Sequence, residues 1–166
     1  YLKEYNAHIQ SVDNHAVMIC EHFVDDENYE LGNSGIKVWR NMNHPYCEAA
    51  MGWMSGADFS GVTSTYDQNG NFADYTRFGT YVGYMESHDE ERVSYAASKS
   101  SDSKAASLSN RLKRLGSAAA FMIMNPGAKM IWQFGELGYD ISGGNGDTSD
   151  KDSPWGWYDE TREDDT

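Results

Sequence analysis

Between Tyr84 and Arg92 the chain reads YMESHDEER, and seven of these nine residues are polar. Glu86, Asp89, Glu90 and Glu91 crowd four carboxylates around His88. Two kinds of chemistry suit that density. Imidazole nitrogens and carboxylate oxygens are ligands for zinc or manganese, and His22, Asp25, His88 and Asp89 would supply such a set for metal-assisted hydrolysis. Two carboxylates can instead cleave a glycosidic bond. One, protonated, donates to the leaving oxygen while the other stabilises or traps an oxocarbenium-like sugar. Glu21 and Asp89 fit that division. The plain structural alternative is that the acids open a solvated helix.

These residues need elements to position them, and the hydrophobic pattern supplies them in alternation. Leu2, Tyr5, Ile9 and Val12 are spaced as one stripe of a helix. Val17–Cys20 is a short apolar run, expected to be a strand covered on both faces. Gly35–Met42 reads as a second strand and Tyr46–Trp53 as a helix. Residues 56–80, rich in Gly, Ser, Thr, Asn and Asp, read as a long loop with turns, a length that in a compact domain is usually functional. Tyr81–Met85 is a third strand. Leu108, Leu112, Leu115, Ala119, Met122 and Ile123 form the strongest helical stripe, which Asn125-Pro126-Gly127 stops. Lys129–Phe134 is the fourth strand. Helical and strand segments thus alternate along the chain through four strands, which predicts an α/β chain with a parallel sheet wrapped by helices. Ligands of such folds sit at the carboxyl ends of the strands. Glu21-His22, Asn41-Met42-Asn43, His88-Asp89 and Gly135-Glu136 fall there.

The bulk properties narrow the partners. Of 166 residues, 39% are hydrophobic and 13% aromatic, enough for a real core, and the net charge is −13. That charge argues against nucleic acid and against an anionic membrane surface, since both reward clustered Lys and Arg. An acidic, aromatic-rich chain suits neutral polar ligands such as sugars, or cations. Trp39, Trp53, Trp132, Tyr84 and Tyr139 lie at or near the expected rim, where flat faces could stack on sugar rings; core packing is the plainer role for each. No apolar run approaches the roughly 20 residues of a membrane span. Cys20 and Cys47 are too few for a disulfide framework and lack thiolate-metal spacing.

Three segments carry a resemblance. YMESHDEERVSY resembles the seventh-strand motif of the α-amylase family of glycoside hydrolases (family thirteen), VMICEHF its fifth-strand motif, and NPGAKMIWQFGELGYD its eighth-strand motif. The three occur in the family's order, and the likeness extends over residues 1–158. It implies the C-terminal half of a (β/α)8 TIM barrel, strands five to eight, with residues 159–166 beginning another helix or an acidic tail. It also implies a retaining hydrolase of starch or a related α-glucan, cleaving α-1,4-glucosidic bonds. By the resemblance Glu21 is the general acid/base, Asp89 the transition-state stabiliser, His88 a hydrogen-bond donor to the same sugar, and His22 a residue shaping the neighbouring subsite. Glu90, Glu91 and Arg92 are expected to be structural and to start the next helix, where carboxylates favour the dipole. Glu136 is assigned an architectural role, and PWGWYDE is placed over the barrel rim.

The sequence departs from that family in one chief respect. The family's nucleophile stands in an Arg-x-Asp motif at the end of the fourth strand, and no such motif precedes VMICEHF here; the motifs of strands one to four are absent too. The expectation is therefore a fragment of a longer enzyme, inactive alone, whose partner is the other half of the barrel. Its substrate would be an α-glucan or maltooligosaccharide. No metal ligand is assigned and no cofactor is required by the residues present; calcium stays open for the parent enzyme. Starting at Tyr1, the chain is expected to continue upstream, with any targeting segment there. Relatives of this kind act outside the cytoplasm or at the cell surface, and the same is expected here. A noncatalytic glucan-binding or partner-binding module built on the same half-barrel is the alternative.

Overall fold

The computed structural model describes residues 1–62, 64–66, 72–74 and 80–142. PWGWYDE and the segment 159–166 lie outside these residues. Helix α1 spans Leu2–Val12, as its periodicity predicts. Its apolar stripe, however, is covered only at its start, where Leu2 packs on the core, while Tyr5, Ile9 and Val12 are exposed. Val12 is 79% exposed, and the one buried residue of the helix is Asn6. Asn6 Nδ2 donates to Ser34 O at 2.7 Å, so a buried amide as well as Leu2 anchors the helix.

Strand β1 is only Ile19–Cys20, and helix α2 follows at Asp25–Asn33. The run 17–20 was expected to be covered on both faces. It lies instead at an edge of the sheet, with Val17 and Ile19 exposed. Helix α2 ends in a left-handed turn at Gly35 (φ 80°), where Gly35 N donates to Gly32 O and Ile36 N to Leu31 O. This termination satisfies the last carbonyls and brings two apolar residues together across the turn. Leu31 and Ile36 are those residues, and with Val38 and Tyr81 they form a buried cluster onto which Leu2, Met18 and Cys20 pack.

Strands β2 (Lys37–Asn41), β5 (Tyr81–Tyr84) and β6 (Ala128–Lys129) complete the sheet. Its order is β1-β2-β5-β6 and every neighbouring pair is parallel. Val38 sits opposite Tyr81 and Val82 opposite Ala128, which fixes the register. The fourth strand is far shorter than the six residues expected. The chain leaves it through Met130 N, which still donates to Gly83 O, and Phe134 then takes φ 70° ahead of a short turn at Gly135–Leu137. A left-handed Phe cannot continue a strand.

Helix α3 covers Asn43–Met51. The region expected as a loop contains an antiparallel pair, β3 (Ser64–Tyr66) with β4 (Phe72–Asp74). Alternation there was masked by polar residues, which short two-stranded ribbons tolerate. After β5 come α4 (Val93–Ser98), α5 (Ser103–Ala106) and α6 (Leu108–Met124). The α6 stripe is only partly buried: Met122 is covered while Leu108, Leu112 and Ile123 are exposed. Lys129 Nζ donates to Asn125 O and Gly127 O, both at 2.7 Å, placing a cation at the α6 carboxyl end where the helix dipole favours it. Among the described residues no helix is long and apolar enough to cross a membrane.

Two compact units result. The first holds Tyr1–Met42, Asp58–Tyr84 and Ala119–Met130, and contains the whole parallel sheet; the second holds Asn43–Ala57, Met85–Ala118 and the described residues from Ile131. Within the second, α3 packs against α4 and α5. Arg114 Nη1 donates to Ala50 O near the end of α3 at 3.0 Å, and Ser100 Oγ donates to Met51 O at 2.9 Å.

Candidate active site

Glu21 directly follows the last residue of β1 and is exposed. His22 is largely covered, and its Nε2 lies 3.0 Å from Glu27 Oε2 on α2. The imidazole expected to shape a subsite is thus held against the following helix. Asp25 belongs to α2, but its side chain lies outside the described residues.

In the second unit, the chain after β5 forms a closed loop from Met85 to Arg92. His88 and Asp89 sit at its tip, each nearly half exposed, with His88 Nε2 3.4 Å from Asp89 Oδ1. The His88 ring lies 6.0 Å from the Trp132 ring. Ser87 is buried beneath them. Its hydroxyl accepts from Asp89 N at 3.1 Å and donates to the Glu90 carboxylate. This local bond turns the backbone so that residues 88 and 89 face outward together.

The base of the loop is built around a residue that motif reasoning passed over. Glu86 is 5% exposed, and its Oε1 accepts from Val93 N, the first amide of α4, at 2.9 Å. Arg92, still more buried, brings Nη1 to 3.4 Å from Glu86 Oε2 and 3.0 Å from Gln133 O. Its guanidinium lies 5.0 Å from the centre of the Tyr139 ring. Burial pushes the Glu86 carboxyl above the usual carboxylate range, and the Val93 amide and Arg92 charge only partly oppose it. The cap of α4 is therefore Glu86. Glu90 and Glu91, expected to open the helix, precede it instead, and no acid lies in its first turn. Glu91 accepts from Arg92 N at 2.9 Å and from Ser142 Oγ at 2.7 Å.

Gly135 belongs to the same arrangement. A Cβ there would stand 2.7 Å from Glu86 Oε2, so glycine is required by the buried carboxylate rather than by its own backbone. Gly138 combines φ 68° with a Cβ position 2.5 Å from Leu112 Cδ2. Both glycines belong to the GELGYD segment, and each has a steric cause. Ser94 Oγ also donates to Gly138 O at 2.7 Å, tying α4 to that segment.

Two of the aromatic residues expected at the rim are core residues. Tyr84 is 1% and Tyr139 2% exposed; Tyr84 makes an edge contact with Trp39, ring centres 5.2 Å apart. Trp53 is exposed. A sequence signal for Glu86 did exist, an acid two residues after Tyr84 and so on the same side of an extended chain. What it could not show is that Arg92 would fold back six residues to meet it. No protein-family model matches this chain, and no curated protein matches it either.

Proposed function

We propose that this chain is the C-terminal half of the (β/α)8 barrel of a retaining α-glucan hydrolase that cleaves α-1,4-glucosidic bonds. In this reading Glu21 protonates the leaving glycosidic oxygen and then removes a proton from the incoming water. Asp89 stabilises positive charge developing on the sugar, and His88 donates a hydrogen bond to the same ring. The carboxylate nucleophile belongs to the parent enzyme, because a retaining site needs two carboxyl groups about 5–5.5 Å apart on either side of the bond. Its covalent glycosyl intermediate is hydrolysed once Glu21 has turned from acid to base.

One observation carries this reading: the parallel sheet runs β1-β2-β5-β6, so neighbouring strands follow the order of the chain without reversal. Doubly wound sheets reverse strand order at a switch point, whereas barrels add each strand beside the last. Glu21 follows the carboxyl end of β1 and the Ser87-His88-Asp89 run follows that of β5, the end at which barrel enzymes place their chemistry.

The test is hydrolysis of maltoheptaose by this chain and by a longer protein extended upstream through the nucleophile strand. The expected result is an inactive chain and an active longer enzyme, with Glu21→Gln lowering kcat by about 10³-fold or more. Full activity of Glu21→Gln in the longer enzyme would overturn the assignment. So would hydrolysis by the 166 residues alone.

A further inference from the structure

The loop that carries His88 and Asp89 is bracketed by a single amide. Asn43, the first residue of α3, donates from Nδ2 to Met85 O and to Glu91 O, both at 2.8 Å. A carboxamide nitrogen has two hydrogens, and both are used, one on each shoulder of the loop. On the amide's other side, Cys47 Sγ lies one helical turn on and donates to Asn43 Oδ1 at 3.6 Å. Burial first, then the neighbouring charges of Glu86, Glu91 and Glu48, push the Cys47 thiol up to about 12, so it remains a donor. That bond assigns the oxygen to the thiol and turns both N–H groups toward the loop.

We infer that Asn43 is the positioning residue of the candidate active site, clamping the two ends of the Met85–Glu91 loop so that His88 and Asp89 hold one orientation. The inference rests on the hydrolase reading for its catalytic consequence, but the clamp itself does not depend on it. Asn43 stands on a helix, a more precise support than a loop would be. It lies outside the three segments that carry the family resemblance, and its two donated bonds go to the backbone on either side of His88 and Asp89. Displacing reacting groups by about 1 Å can cost on the order of 100-fold in rate.

The experiment compares Asn43→Asp with the unvaried sequence in the longer enzyme. The substitution keeps the shape, removes both donors and turns carboxylate oxygens toward two carbonyls. Hydrolysis of maltoheptaose and hydrogen exchange of the peptide spanning Met85–Arg92 are measured together. The expected result is a fall in kcat of about 10- to 100-fold with KM changed less than about 3-fold, and loop exchange at least about 10-fold faster. Ser100→Ala, which removes an anchor at the far end of α3, is expected to leave kcat and loop exchange unchanged. If Asn43→Asp fails to fold, Cys47→Ala decides; freeing the amide to rotate should still speed loop exchange and lower kcat about 3- to 10-fold. Unchanged kcat in the variant that folds overturns the inference, as does an equal loss in Ser100→Ala. If the unvaried longer enzyme hydrolyses no α-glucan, the hydrolase reading and the catalytic role fail together. Loop exchange then still decides the clamp: faster exchange in Asn43→Asp sustains it, and unchanged exchange removes it.

Discussion

Replacing Glu86 by Gln sets two physical effects against each other. Removing one partner of a buried ion pair commonly costs about 3–5 kcal/mol, because the other charge is left without compensation. Against that, a buried carboxylate suffers desolvation that a neutral amide largely avoids. The geometry decides between them. Arg92 Nη1 reaches Glu86 Oε2 only at 3.4 Å and keeps the Gln133 carbonyl at 3.0 Å and the Tyr139 face whatever stands at position 86. The shorter bond is the one from Val93 N at 2.9 Å, and a Gln carbonyl accepts it equally well. Burial outweighs both partners and pushes the carboxyl up. Glu86→Gln is therefore expected to cost less than about 1 kcal/mol, whereas Glu86→Ala, which orphans the Val93 amide and leaves a cavity, should cost about 2–3 kcal/mol.

The pH dependence follows from the same raised value. The native state keeps its proton at a pH where the unfolded chain, near its ordinary value of 4.5, has lost it. The stability contributed by Glu86 is thus full below that ordinary value and declines as pH rises through the folded one. Urea unfolding from pH 4 upward should show this decline in the unvaried protein and its absence in Glu86→Gln, so that the variant gains relative to the parent as pH rises. A cost of 3–5 kcal/mol for Glu86→Gln near neutrality, with no change in pH slope, would refute the reasoning and make Arg92 the dominant partner.

Gly135→Ala should destabilise by about 1–3 kcal/mol through its clash with Glu86 Oε2, and the cost should shrink in a Glu86→Ala background; additive costs in a double-mutant cycle would show that the carboxylate is not the obstacle. Cys47, with its thiol pushed to about 12, should resist iodoacetamide at pH 8 in the native protein, where about one thiol in 10⁴ is ionised, while the partly exposed Cys20 is modified first; peptide mass mapping reads the order. Equal rates at the two thiols would mean that Cys47 is not buried as described.

The alternation of apolar runs and stripes determined the class of this fold, because period two and period 3.6 are properties of the chain itself. Helices α1, α3 and α6 and strands β2 and β5 all appear where those periods place them. Gly35 and Asn125-Pro126-Gly127 likewise end α2 and α6 for reasons local to the backbone. Residue types also placed Glu21 and His88-Asp89 just beyond strands, since polar residues following an apolar run have little choice but to leave the sheet.

What the sequence by itself could not decide is which polar residues the tertiary structure would bury. Asn6, Glu86 and Arg92 are covered, while Val12, Ile19 and Ile123 are exposed, against every hydropathy scale. Burial of a polar group depends on whether a partner arrives from elsewhere in the chain. Asn6 meets Ser34 O, Glu86 meets Val93 N and Arg92, and Asn43 meets two carbonyls more than 40 positions away. The first is set within one unit by how α1 meets the end of α2, the others within the second unit by how α3, the loop after β5 and the GELGYD turn pack, and no spacing along the chain encodes them. The candidate residues could be chosen from residue type and order alone; the bonds that hold the loop around His88 and Asp89 were settled only by the fold.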